Sequence, residues 1–127
     1  MSDLQCPATI LLIPSEVVAS DSCWRAMQGK RLFGFYVDAK VEQDAAVIGL
    51  AEAADCPVQP IGPLDNGAGL TQVLEDLADV HRGETIAVVA TAKVIESRLG
   101  LDHLPTTLIE VKIDSSGWAV NVLTAKR

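Results

Sequence analysis

Aromatic, cysteine and histidine residues are scarce in this chain. Of its 127 residues, 4% are aromatic, three are cysteines and two are histidines. Cys6, Cys23 and Cys56 form no C-x-x-C pair, so we expect neither a disulfide framework nor a zinc site. The two histidines, His81 and His103, have no partner at metal-ligand spacing. We therefore predict no metal, no cofactor and a reducing, cytoplasmic location.

Basic residues and long apolar runs are lacking as well. The chain has 10 Lys and Arg against 17 Asp and Glu, which gives a net charge of −7. Nucleic-acid binding needs a basic surface, so this balance argues against it as the main activity. No apolar run approaches the roughly 18–20 residues that span a membrane. We expect neither a nucleic-acid nor a membrane partner, and the first residues show no basic segment typical of a secretory signal.

The composition that remains is typical of a globular α/β protein. Hydrophobic residues make up 49% of the chain, and the length fits a single domain over residues 1–127. Ala8–Ile13 and Glu84–Ala90 are apolar almost throughout, which is typical of strands buried on both faces of a parallel sheet. Thr107–Ile113 and Gly117–Thr124 alternate and predict a closing hairpin. We predict a three-layer α/β/α sandwich with a mainly parallel sheet and a C-terminal antiparallel hairpin.

The segments between these strands predict helices, a short strand and one long loop. Residues 15–37 show no clean period and indicate a loop with some helix around Ser22–Gln28. The other elements follow from apolar spacing and from capping residues. They are a helix over 39–54 after the N-cap Asp38, a strand Pro57–Ile61, a helix over 70–80, and a helix from the cap Thr91 to Leu99 before Gly100.

Four segments resemble successive parts of one protein family. Ala8–Ile13 with the polar turn after it is similar to a first strand that leads into an Arg-His-Gly motif. Gly83–Ile95 is similar to a Gly-Glu-Thr strand that leads into a second catalytic histidine and Gly-Gly-Val-Ile. Thr106–Leu123 resembles the closing hairpin, and Gly62-Pro63-Leu64 resembles a Ser-Ser-Pro-Leu segment before an arginine. The family is the histidine phosphatase (phosphoglycerate mutase-like) superfamily, and the resemblance implies a shortened domain of that fold.

The residues that carry the family's chemistry are replaced in this chain. The resemblance implies a nucleophilic histidine that takes the phosphoryl group, with two arginines and a second histidine balancing its charge. Loss of all of them removes that mechanism. At the matching positions stand Pro14 for the first arginine, Ser15 for the nucleophile, Glu16 for the glycine, Asn66 near the second arginine, Thr91 for the second histidine, and Ala92 and Lys93 for the two glycines.

Ligands of open α/β sheets bind outside the carboxyl ends of the strands. That rule places Ser15, Glu16, Asn66, Thr91 and Lys93 around one candidate ligand-binding crevice. The alternative to ligand binding is a structural role for three of these residues. Ser15 would then form a turn, Thr91 would cap a helix, and Lys93 would be a solvated lysine. Ser15 and Glu16, together with Asp21 in the following loop, are the catalytic candidates.

The loop over residues 15–37 holds the candidate interface residues. Trp24 and Arg25 belong to types that dominate protein interfaces. Phe33, Phe35 and Tyr36 lie so close together that alternating side chains cannot all face one core, so we expect part of this segment at an interface. Simple packing under the loop is the alternative.

Three hypotheses on function follow. The favoured one is a catalytically degenerate histidine-phosphatase-like protein that acts by binding, as a regulatory or structural partner or as a homodimer. The second is a small-metabolite enzyme in which Glu16 or Asp21 is the acid or base and Lys93 or Arg25 holds an anionic group. The third is an unrelated Rossmann-like or flavodoxin-like domain, which its strand order would reveal. A small-molecule ligand is compatible with the first two.

Overall fold

The computed structural model describes residues 7–18, 25, 27, 31–62, 64, 66–100, 108–114 and 117–122. Their central feature is one six-stranded sheet. Its strands are β1 (Ala8–Pro14), β2 (Phe35–Asp38), β3 (Val58–Ile61), β4 (Thr85–Ala90), β5 (Ile109–Asp114) and β6 (Gly117–Val122).

The sheet is mixed and has the spatial order β3-β2-β4-β1-β5-β6. The first four of these neighbours run parallel, whereas β5 is antiparallel to both β1 and β6. The predicted mainly parallel sheet with a C-terminal hairpin is therefore confirmed.

Helices cover both faces of the sheet and complete the three-layer sandwich. Helix α1 (Ala45–Ala53) packs on one face, and helices α2 (Gly67–Val80) and α3 (Ala92–Leu99) pack on the other. Along β1, Ile10 and Leu12 contact the α2/α3 side, while Leu11 and Ile13 contact the α1 side. Because both faces of the strand are buried, its sequence is continuously apolar instead of alternating.

The helix boundaries follow local capping chemistry. The Asn66 side chain accepts a hydrogen bond from the Gly69 amide and begins α2, three residues earlier than its apolar spacing predicts. The Asp44 side chain accepts from the Ala46 amide and begins α1. Gly100 ends α3 in the left-handed conformation (φ 68°), as expected for a glycine after a helix.

Two predictions for residues 15–54 were wrong in detail. Residues 15–37 are not all loop, because Ser15–Val17 form a 3-10 helix and Phe35 begins strand β2. Asp38 begins a 3-10 helix over Ala39–Val41, and the α-helix starts only after Asp44. A four-residue strand is too short to show a period, and a buried polar residue at its end hides its boundary. The predicted helix over Ser22–Gln28 lies outside the described residues, apart from Arg25 and Met27, which are helical.

In the described part of the chain, no helix is long and apolar enough to cross a membrane. Nor do any three of the described His, Cys, Asp or Glu residues cluster in a way that could hold a metal ion.

Candidate functional site

The carboxyl ends of β1 and β4 form the centre of the candidate site. The two strands are parallel neighbours, and Pro14 pairs with Ala90 at their last residues. Ser15 and Glu16 therefore follow β1 beside Thr91 and the start of α3. Four of the five predicted crevice residues, Ser15, Glu16, Thr91 and Lys93, lie at this edge of the sheet.

The Glu16 carboxylate binds the amino end of α3. Its Oε1 accepts a hydrogen bond from the Ala92 amide at 2.8 Å and another from the Ser15 hydroxyl at 3.1 Å. Thr91 occupies the N-cap position, but its side chain makes no capping hydrogen bond. A residue 76 positions away along the chain thus supplies the capping oxygen, and its negative charge faces the positive end of the helix dipole.

The exposure of these side chains argues against a closed pocket around Glu16. Glu16 and Lys93 are exposed, and Ser15 and Thr91 are half-buried. Ser15 is hydrogen-bonded to a carboxylate instead of a histidine. The geometry at this edge is that of a capped helix end with a solvated lysine beside it.

Asn66 lies apart from the other crevice residues. Its side chain caps α2, and the next residue, Gly67, approaches the backbone of α3 near its last turn, where a Cβ on Gly67 would lie 3.0 Å from the Arg98 Cα. From Ala92 to Arg98 a helix rises about 9 Å. Asn66 is therefore about two helical turns away from Glu16.

Asp38 also lies at this carboxyl edge. The sequence predicts it only as a helix cap. Its side chain is fully buried, and its Oδ1 accepts from the amides of Lys40 at 2.9 Å and Leu64 at 3.4 Å. Its Oδ2 has no hydrogen-bond partner and lies 3.9 Å from the Lys40 ammonium group. Asp38 thereby connects the turns after β2 and β3. The sequence signal that could have indicated this role was an aspartate directly after a short apolar strand.

The candidate interface residues divide between core and surface. Phe35 is fully buried between the sheet and α1, so it presents no surface. Phe33 is 48% exposed. The Arg31 guanidinium lies over its ring, with the Arg31 Cζ atom 5.3 Å from the centroid of the Phe33 ring. Arg25 is exposed. Two further predicted residues, Asp21 and Trp24, lie outside the described residues.

Tyr36 belongs to a hydrogen-bonded chain that the sequence did not reveal. Its hydroxyl lies 2.8 Å from His81 Nε2, and His81 Nδ1 lies 2.7 Å from Glu84 Oε1. In the tautomer with the proton on Nδ1, the ring donates to Glu84 Oε1 and accepts the Tyr36 O–H at Nε2. His81 is buried and is the C-cap residue of α2.

This chain of polar groups lies at the amino edge of the sheet. Glu84 directly precedes β4, and the Gly83 amide donates to the carbonyl of Pro7, which directly precedes β1. The seven residues of β1 span about 20 Å. His81 is therefore at the opposite edge from Ser15 and cannot serve it as a base, while His103 lies outside the described residues.

Burial raises the pKa of the Tyr36 hydroxyl, and the nearby Cys56 and Glu84 raise it further, while a hydrogen bond from Gln59 lowers it. Burial also raises the pKa of the Cys56 thiol, with a contribution from Asp55. Both groups are therefore held in their neutral forms. Neither a thiolate nor a phenolate nucleophile is stabilised here.

The acidic segment from Asp38 to Asp79 does not make one surface. It contains nine acidic residues and one basic residue, Lys40. Asp38 is buried, and the two helices that carry four of the other eight, α1 and α2, lie on opposite faces of the sheet. The segment therefore gives no single acidic docking face.

Compared with protein-family models, with curated proteins and with solved structures, the chain gives no match in any of the three. Its strand order nevertheless separates it from two common α/β folds. In the Rossmann order β1 lies between β2 and β4, and in the flavodoxin order it lies between β2 and β3. Among the described strands β1 lies between β4 and the antiparallel β5, so these strands follow neither order.

Proposed function

We propose that this chain is a catalytically degenerate histidine-phosphatase-like protein that acts by binding a protein partner or a second copy of itself. Phosphohistidine chemistry is not its activity. The observation that carries the proposal is the neighbouring placement of the turns after β1 and β4, with Ser15, Glu16 and Thr91 in them.

The pairing of β1 with β4 supports the family part of the proposal. A phosphoryl group held by two histidines requires that both lie within reach of one phosphorus atom. The resemblance puts those histidines in the turns after Ala8–Ile13 and Glu84–Ala90, and these two strands are parallel neighbours in register. The hairpin of β5 and β6 closes the sheet beside β1, as the likeness of Thr106–Leu123 implies.

The contacts of Glu16 support the loss of phosphoryl chemistry. The amino end of a helix is a favourable place for a phosphate because its amides and dipole attract anions. In this chain the Glu16 carboxylate already accepts a hydrogen bond from the first amide of α3. It would repel a phosphate from that position, and among the described residues no histidine lies at this edge.

The enzyme hypothesis gains less support. It requires Glu16 as an acid or base in an enclosed pocket, whereas the Glu16 side chain is exposed and capped onto α3. Asp21, its other acid, lies outside the described residues. No specific observation in the described part of the chain favours it over binding.

The decisive test pairs a phosphatase assay with native mass spectrometry of the full chain purified gently from its own cells. We expect no turnover of p-nitrophenyl phosphate or phosphopeptides and no phosphohistidine trapped on the protein. We also expect a dimer mass or a stably bound protein. Phosphatase turnover that is abolished by Ser15→Ala would overturn the proposal. A monomer carrying a small-molecule mass would favour the enzyme hypothesis.

A further inference from the structure

An open cavity of about 390 Å³ lies between helix α1 and the edge strand β3. Ile48 and Ala51 of α1 line it, together with Val58 and Pro60 of β3. Ile48 is 37% exposed and is one of four large apolar side chains that are exposed in the described ranges. This cavity, which we call the α1–β3 groove, is therefore an apolar surface that the described part of the chain leaves uncovered.

Although the acidic residues as a whole form no single face, two of them line this groove. Glu42 lies three residues before α1 and Glu52 lies in its last turn, so their carboxylates flank the apolar lining. Ile48 and Glu52 are four residues apart and share one face of the helix. Neither glutamate forms an ion pair with a described residue. Residues 41–80 contain eight acidic residues and no lysine or arginine, so this stretch supplies no cation of its own.

We propose that the α1–β3 groove binds an amphipathic helix of a partner protein, with apolar residues on one face and lysine or arginine residues beside them. The inference rests on the proposed function, because it names the chemistry of the partner of a protein that acts by binding. Apolar side chains of that helix fill the space between Ile48 and Val58. Its cations pair with Glu42 and Glu52, and such charge complementarity fixes the orientation of a partner.

The β3 edge favours a helix over a strand as the occupant. A strand would add to the sheet by bonding to the outer backbone groups of β3. However, β3 has only four residues, and Pro60 has no N–H to donate. A helix satisfies its own backbone hydrogen bonds and needs only side-chain contacts, which an apolar groove provides.

Net charge favours a basic partner over a second copy of this chain. Each copy carries a net charge of −7, so two copies repel each other. A basic helix is attracted by the whole molecule at long range and by the two groove glutamates at short range. Because salt screens this attraction, we expect the binding to weaken as the ionic strength rises.

The test uses the full chain and a fluorescent model peptide that forms an amphipathic helix of leucine and lysine, with binding measured by anisotropy. We expect saturable binding of one peptide per chain. Glu52→Lys should weaken it at least tenfold, because a lysine in the groove repels the peptide. Glu75→Lys is the matched control, since it makes the same charge change at an exposed glutamate of α2, on the other face of the sheet. We expect this control to change the affinity less than about threefold.

Further variants test the apolar and charged contacts separately. Ile48→Asn should weaken binding several-fold, whereas Val80→Asn, at a valine that is 73% exposed on α2, should not. A leucine–glutamate peptide should not bind the wild type, but it should bind the double variant Glu42→Lys/Glu52→Lys. Bound leucine–lysine peptide should also slow the alkylation of the free thiol of Cys56, which lines the groove, as measured by peptide mass spectrometry.

Three results would overturn this inference. They are the absence of saturable binding, equal weakening by Glu52→Lys and Glu75→Lys, and binding that neither responds to Ile48→Asn nor protects Cys56. The second would show a diffuse attraction to the net charge, and the third would show that the peptide binds elsewhere. Each leaves the proposed function standing if native mass spectrometry finds another bound protein, whereas phosphatase turnover would overturn the proposed function without changing the peptide binding.

Discussion

Single residues at the two ends of the sheet hold distant parts of the chain together. Glu16 caps a helix that begins 76 residues later, and His81 connects Tyr36 in β2 to Glu84 before β4. Each contact satisfies a polar group that would otherwise lie unpaired at a half-buried edge, and such groups are expensive to leave unpaired. At both edges of the sheet, the polar residues that could take part in chemistry therefore have structural roles.

Replacement of Glu16 should reveal its role as a cap. We expect Glu16→Ala to lower the free energy of unfolding by about 1 kcal/mol, because the Ala92 amide loses its acceptor. Glu16→Gln keeps an oxygen acceptor and loses the charge, so its effect should be smaller. Urea unfolding measures both, and Glu52→Ala, an exposed glutamate on α1, is the control. A Glu16→Ala variant as stable as the control would contradict the capping role.

Tyr36 and Cys56 predict a loss of stability at alkaline pH. The folded protein raises the pKa of both groups above their ordinary values of 10.0 and 9.0. Above those values the unfolded chain has released these protons and the folded chain still holds them, so stability falls as pH rises. We expect the free energy of unfolding to decline from about pH 9 upward. Tyr36→Phe should remove the part of the decline above pH 10, and an unchanged profile in this variant would contradict the assignment.

At the scale of elements, the packing of α2 against α3 depends on one glycine. A Cβ on Gly67 would lie 3.0 Å from both the backbone N and the Cα of Arg98. These are backbone atoms, so the two helices would have to separate. Gly49 in α1 has nothing within 4 Å of the same position. The two glycines therefore form a matched pair.

Alanine should have opposite effects at these two positions. We expect Gly67→Ala to destabilise the protein by about 1–3 kcal/mol through overpacking. Gly49→Ala should stabilise it by about 0.5–1 kcal/mol, because glycine is the poorer residue inside a helix. Thermal and urea unfolding of the two variants measure the difference. Equal effects of the same sign would show that the close approach of α2 and α3 does not constrain residue 67.

For the molecule as a whole, net charge opposes self-association. Each copy carries a net charge of −7, and like-charged proteins repel each other over a distance set by the ionic strength. We therefore expect a dimer of this chain to become stronger as salt rises from about 0.02 M to about 0.5 M. Sedimentation over a salt series measures this dependence. A dimer that weakens steadily with salt would indicate that local ion pairs, and not backbone and apolar contacts, hold it together.

The sequence by itself determined the fold class and the most regular elements. Continuous apolar runs in β1 and β4, alternation in β5 and β6, and a glycine after Leu99 encode local geometry, and local geometry is what periodicity records. The absence of histidine and arginine from the turns after β1 and β4 could also be read from the chain alone.

Only the tertiary structure decided which distant residues meet. Strand β2 is too short for a period, so its place between β3 and β4 depends on pairing and not on pattern. The separation of Asn66 from Glu16, the capping of α3 by Glu16 and the Tyr36–His81–Glu84 chain each depend on how elements far apart in sequence are arranged. Those arrangements result from burial on both faces of the sheet, where the packing of the whole chain selects one register.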